Sequence, residues 1–238
     1  MTKQTAQVKS DKNKILVIIP AMNEEKTIGK VISQVKKLGF DVLVIDDNSK
    51  DNTISLAKEN GALVIPLVYN IGAWNATQTG FQYALKKAYP TVITMDADGQ
   101  HDPLTLPDLI QAQKETRANV IIASFTARGN LNRQLAWRFF KWFAGFNIND
   151  LTSGYRLYDH KALAVIASKE ATLLEYQDVG VLLLLAKHHL SLTEIETRMS
   201  YRIDGVSRIF KSWLHVVYYL LYTSILCLSK IKTVKTKH

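Results

Sequence analysis

The chain has 238 residues, 47% hydrophobic and 21% charged, so it can bury a substantial core and falls outside the disordered classes. A lone Cys227 excludes an intrachain disulfide framework, and with no zinc-finger spacing or RNA-recognition aromatic signature the net charge of +9 does not point to nucleic acid. The basic surplus is confined to one half: residues 1–116 carry 13 Lys, no Arg and 13 acids, whereas residues 117–238 hold 17 Lys plus Arg, including all eight Arg, against 8 acids.

Residues 1–13 read as a basic tail, with no apolar run before Ile15 and so no cleavable secretory signal expected. Short, β-branched apolar runs then recur at 14–19, 42–45, 63–68, 91–95 and 120–123, which predicts strands buried on both faces. Between them Ile28, Val31, Ile32 and Val35 fall on one helical face before Gly39, and Ile54, Leu56 and Ala57 precede Gly61; glycine just past a periodic run stops a helix. Alternating strand and helix predicts an α/β fold with a mainly parallel central sheet, flanking helices and right-handed crossovers. Residues 132–146 then combine six aromatic side chains, Trp137, Phe139, Phe140, Trp142, Phe143 and Phe146, with Arg133, Arg138 and Lys141. Residues 213–228 are apolar for 16 positions, with Arg208 and Lys211 before and Lys230, Lys232, Lys235 and Lys237 after. That run is short for a bilayer span, and 209–238 reads as an amphipathic helix and basic tail lying in the membrane interface on anionic lipid; a buried helix or subunit contact is the other reading.

Ligands of such sheets gather at the carboxyl ends of the strands. The first strand leaves into Pro20-Ala21-Met22-Asn23-Glu24-Glu25, the second into Asp46-Asp47-Asn48-Ser49, and the fourth into Asp96-Ala97-Asp98-Gly99-Gln100. Two carboxylates one residue apart, followed by an amide, are oxygen donors suited to Mg²⁺ or Mn²⁺ on a diphosphate. The chain lacks both G-x-G-x-x-G after its first strand and G-x-x-x-x-G-K-[ST], against a dinucleotide dehydrogenase and a P-loop enzyme.

Taken in order, Ile19-Pro20-Ala21-Met22-Asn23-Glu24-Glu25, Val44-Ile45-Asp46-Asp47-Asn48-Ser49, Asn70-Ile71-Gly72, Met95-Asp96-Ala97-Asp98-Gly99-Gln100-His101-Asp102-Pro103 and Asp150-Leu151-Thr152-Ser153-Gly154-Tyr155-Arg156 resemble family 2 glycosyltransferases of the GT-A fold. The set is most similar to the polyprenyl-phosphate and dolichyl-phosphate sugar transferases. The resemblance implies that Pro20, Ala21, Asn23, Glu24 and Asp46 or Asp47 border the nucleotide base and ribose, that Asp96 lies at the nucleotide diphosphate, and that Asp96, Asp98 and Gln100 hold the metal; Glu24 and Asp47 can also be read as a helix-start acid and a turn cap. Tyr176-Gln177-Asp178 and Arg202-Ile203-Asp204-Gly205-Val206-Ser207-Arg208 match later segments of the same enzymes, and Asp178 and Arg202 join Asp98 as implied catalytic residues. Phosphate of donor or acceptor is implied to meet Arg133, Arg156, Arg202 and Arg208. The chain departs at Ser124-Phe125, where relatives often carry Ser-Arg, leaving open which of Arg128, Arg133 and Arg138 supplies the missing contact.

The expectation is an inverting, metal-dependent glycosyltransferase domain over residues 14–208. It would move a sugar from a UDP- or GDP-sugar to a polyprenyl phosphate at the cytoplasmic face of the membrane, as a peripheral enzyme of cell-envelope glycan synthesis. A family 2 enzyme acting on a hydroxyl acceptor and a non-catalytic nucleotide-sugar or membrane-binding module are the alternatives. Sugar, base and oligomeric state are left open.

Overall fold

The computed structural model describes residues 14–125, 148–174 and 179–197. The expectations for the 1–13 tail, for Arg128, Arg133 and Arg138 in the aromatic segment, for Asp178, for Arg202 and Arg208, and for the 209–238 helix lie outside these residues. Among the described residues no helix is long and apolar enough to cross a membrane.

Strands β1 (Ile15–Ala21), β2 (Asp41–Asp46), β3 (Leu63–Pro66), β4 (Thr91–Thr94) and β5 (Val120–Ser124) form where the apolar runs predict them, and β6 (Arg156–Asp159) and β7 (Leu192–Glu196) complete one sheet in the order β3-β2-β1-β4-β6-β5-β7. Neighbours β3-β2, β2-β1, β1-β4 and β5-β7 pair in parallel, whereas β6 runs antiparallel to both β4 and β5. Helices cover both faces of β1, β2, β4 and β5, which is why these strands read as unbroken apolar runs, whereas β3 at the sheet edge is half-exposed. Leu16, Ile18, Leu43 and Ile45 pack on one face against α3 (Ala73–Lys86), α5 (His160–Ile166) and α7 (Val179–Lys187). On the other face Val17, Ile19, Val42 and Val44 meet α1 (Ile28–Lys37), α2 (Thr53–Glu59) and α4 (Leu106–Thr116).

Trp74 and Phe81 of α3 pack edge to face at 6.1 Å, Phe81 meets Tyr158 of β6 at 5.5 Å, and the Trp74 indole N–H donates to the Ala171 carbonyl at 3.0 Å, in the short helix α6 (Lys169–Thr172). Between them α3 lies so close to β1 that a Cβ on Gly80 would stand 2.5 Å from Cγ2 of Ile18. Overpacking a close-packed interior costs about 1–3 kcal/mol, so Gly80→Ala is expected to lower Tm by several degrees in a thermal melt while leaving far-UV circular dichroism unchanged. An unchanged Tm would show that α3 can lift off β1 at little cost.

Candidate active site

The order β2-β1-β4 puts the topological reversal between β1 and β4. Their ladder ends at Ile18↔Thr94, while β1 continues beside β2 through Pro20↔Ile45 and Ala21↔Asp46. Beyond Ile18 the two strands part, which opens a crevice at their carboxyl ends where ligands of open α/β sheets collect. Pro20 stands past the last β1–β4 pair, where the missing N–H removes no rung of that ladder.

The β1 and β2 exits are laced into one wall. Asn23, with φ 52°, accepts at its side-chain oxygen from the Lys50 N–H (2.7 Å) and donates its own N–H to Ser49 Oγ (2.9 Å). The Glu24 N–H donates to Thr53 Oγ1 (2.8 Å), and the Glu24 carbonyl accepts from the N–H groups of Thr27 and Ile28 at the start of α1. The adjacent acids at the end of β2 divide their work. Asp47 accepts from the N–H groups of Ile71 (2.7 Å) and Gly72 (2.9 Å), one on each carboxylate oxygen, and so fastens the loop that leads into α3. Asp46 accepts from the Ser49 N–H through Oδ2 (3.0 Å), while its buried Oδ1 has no hydrogen-bond partner. Of the two candidates for the nucleotide, Asp47 is committed to the fold and Asp46 keeps an unclaimed acceptor.

Across the crevice β4 ends at Thr94 and releases the acidic loop. The Asp98 carboxylate accepts the Gln100 N–H at 3.0 Å, an Asx-type turn across Gly99, whose φ of 76° favours glycine there. The Asp96 side chain is 50% exposed, and among the described residues it has no lysine or arginine within 4.0 Å. Its partner is His101, itself only 3% exposed, whose Nδ1 accepts the Asp96 N–H at 3.0 Å and whose Nε2 lies 3.6 Å from Asp96 Oδ2. The imidazole stacks on Tyr155 with centroids 4.9 Å apart. Burial pushes the Tyr155 hydroxyl far above its ordinary pKa, so it stays protonated and donates to the Asp102 carbonyl at 3.2 Å while accepting from Thr105 Oγ1 at 2.9 Å. His101 and Tyr155 were not among the residues singled out from sequence, although His101 directly follows the acidic run.

Among the described residues no group of three His, Cys, Asp or Glu forms a metal cage. Asp96, Asp98 and Gln100 offer two carboxylates and an amide at the exit of β4, with Asp96 half-exposed. That donor set fits Mg²⁺ or Mn²⁺, which commonly take one or two protein carboxylates and fill the remaining positions with phosphate oxygens and water.

The segment 148–155 forms the far wall. Asp150 accepts from Thr152 N–H and Oγ1 (3.1 Å each) and from Phe125 N–H (3.3 Å), and Glu194 of β7 accepts the Asn149 N–H at 2.6 Å. Arg156, expected to meet phosphate, is fully buried at 0% exposure on β6 and donates through Nη2 to the Leu151 carbonyl at 3.1 Å; its Nε and Nη1 have no partner. Through that bond Arg156 braces the 148–155 segment, and two of its guanidinium nitrogens stay unclaimed.

The model for Glycosyl transferase family 2 matches residues 16–166, more than half of the chain. The chain belongs to that family. Its relatives include the UDP-N-acetylglucosamine–dolichyl-phosphate N-acetylglucosaminyltransferase of Methanococcus voltae, 29% identical over 82% of this chain and 88% of that one. The polyprenol monophosphomannose synthase of Mycolicibacterium smegmatis is 31% identical over 63% of each chain. Among solved structures, glucosyl-3-phosphoglycerate synthase from Mycobacterium tuberculosis, in complex with Mn²⁺, UDP and phosphoglyceric acid, superposes with a TM-score of 0.66 at 18% identity, covering 91% of this chain and 78% of that one. The shared architecture is the GT-A sheet with its crevice. The family-matched span takes in the β1, β2 and β4 exits, the acidic loop and the 148–155 segment, all from residues that the ordered motifs had marked.

Proposed function

We propose that this family 2 glycosyltransferase is an inverting, metal-dependent enzyme that moves a sugar from a UDP- or GDP-sugar to a polyprenyl phosphate at the cytoplasmic face of a membrane. One observation carries the reading: Asp96 and Asp98 stand at the exit of β4, across the β1–β4 crevice from a wall in which Asp46 retains an unpartnered carboxylate oxygen. Asp46 Oδ1 would accept from a base N–H or ribose hydroxyl, with Pro20, Ala21 and the braced Asn23–Glu24 turn shaping that end. Asp96, Asp98 and Gln100 would hold the divalent ion, whose chemistry when bound is neutralisation of diphosphate charge as the nucleotide departs. The names of the relatives support a lipid-phosphate acceptor.

A phosphate monoester has a second pKa of about 6 and is largely ionised at neutral pH, so the acceptor needs alignment more than a general base. We assign that alignment to Asp178, and the acceptor phosphate to Arg202 and Arg208, with Arg133 as the cation offsetting Phe125. The lysine-bracketed 209–238 segment would rest on anionic lipid and bring the acceptor headgroup to these arginines.

Mass spectrometry after incubation with UDP- and GDP-sugars and undecaprenyl phosphate tests the reading. A glycosylated lipid phosphate is expected, and Arg202→Ala and Arg208→Ala should each raise the acceptor KM about tenfold or more while nucleotide affinity holds. Transfer to a hydroxyl acceptor alone, or arginine variants that lose nucleotide and keep acceptor KM, would overturn the acceptor assignment.

A further inference from the structure

We propose that His101 is a positioning residue that sets the Asp96 carboxylate for the divalent ion, an inference that rests on the metal-dependent reading above. His101 is fastened to Asp96 at the backbone, accepting its N–H at 3.0 Å through Nδ1, and this places Nε2 3.6 Å from the carboxylate, just beyond hydrogen-bond length. A nitrogen that accepts carries no proton, so the ring hydrogen sits on Nε2 and faces the carboxylate. Both contacts come from the two nitrogens that flank Cε1, so that edge of the ring stands against Asp96 and beside its half-exposed carboxylate.

The ring itself cannot turn. It is 3% exposed and stacked with an interplanar angle of 19° on Tyr155, whose hydroxyl is tied to the Asp102 carbonyl and to Thr105 Oγ1 on the 3₁₀ turn Pro103–Thr105. Tyr155 directly precedes β6, the strand hydrogen-bonded to β4. The Asp96 carboxylate is thus referenced through His101 and Tyr155 to the sheet rather than to its own loop. Partners behind a ligating carboxylate fix its orientation, and their loss typically weakens metal binding about 10- to 100-fold.

The test is the Mn²⁺ dissociation constant in the presence of UDP, read by electron paramagnetic resonance of free Mn²⁺ in the intact chain. His101→Phe keeps the stack on Tyr155 and removes both nitrogens; it should weaken Mn²⁺ about tenfold or more. His101→Asn places an acceptor near the position of Nδ1 but has no group at Nε2, so it should fall between Phe and the parent. Thermal melts and UDP binding without metal accompany each titration and are expected to change little. Should the phenylalanine variant not fold, a loss of at least about threefold in the asparagine variant carries the same meaning. The proposal is overturned if both variants bind Mn²⁺ within twofold of the parent, or if UDP binding without metal falls in step with Mn²⁺ binding, which would make His101 a general brace of the loop. A parent chain that binds no Mn²⁺ with UDP would instead sink the metal-dependent reading itself.

Discussion

Asp98→Ala is expected to lower sugar transfer by about 10³-fold, because charge neutralisation at a leaving diphosphate contributes several kcal/mol and each 1.36 kcal/mol is tenfold in rate. The substitution alone is ambiguous, since Asp98 also accepts the Gln100 N–H and shapes the turn through Gly99. Asp98→Asn separates the roles: its amide oxygen preserves the turn acceptor and removes only the charge. The asparagine variant should therefore lose nearly as much rate as the alanine variant while melting like the parent. A chelator should abolish transfer by the parent, and added Mg²⁺ or Mn²⁺ should restore it. If Asp98→Asn turns over at the parental rate, or the chelated parent does, Asp98 is a turn residue and the metal assignment fails.

What was legible in the sequence follows from how each element is buried. Strands β1, β2, β4 and β5 lie under helices on both faces, so composition alone marks them; β3, expected to be buried likewise, is a half-exposed edge strand with Leu63 48% exposed, and Gly39 and Gly61 fall two residues past α1 and α2 as helix stops should. β6 escaped notice because it is four residues long, opens on Arg156 and runs antiparallel, a pairing to which local pattern is blind. α7 is buried over nearly its whole length, so Val179 through Leu185 show no polar face to betray a helical period. β7 sits at the sheet edge with half-buried residues and reads as ordinary surface.

The site divides in the same way. Acids at strand exits are visible as motifs, and adjacency of β2, β1 and β4 brings them together. Which acid binds ligand and which binds the fold depends on partners far along the chain: Asp47 is spoken for by amides 24 and 25 residues away, and Arg156 lies under a segment whose course no local rule predicts. His101 was readable as a neighbour of the acidic run, yet its meaning comes from Tyr155, 54 positions later, which fixes the ring.

That division of labour at the end of β2 makes a sharp prediction for two adjacent carboxylates. Asp47→Ala removes a carboxylate that is itself 3% exposed and that accepts the N–H groups of the exposed Ile71 and Gly72, and hydrogen bonds to a charged group contribute about 1.5–3 kcal/mol each. The expected loss is about 3–5 kcal/mol, on the order of 10 °C in Tm for a chain of this size. Asp46→Asn should behave oppositely. An oxygen remains for the Ser49 N–H, so Tm should move by no more than about 2 °C, while loss of the charged acceptor should weaken nucleotide binding about tenfold in a calorimetric titration. The pairing protects each result from the obvious rival explanation, because a general disturbance of the β2 exit would lower stability and nucleotide affinity together in both variants. If Asp46→Asn melts early, or Asp47→Ala holds its Tm and loses nucleotide, the two roles are reversed. The ligand acid would then be the one that faces the β3–α3 loop, and the nucleotide would enter on the α3 side of β2 rather than at the β1–β4 crevice.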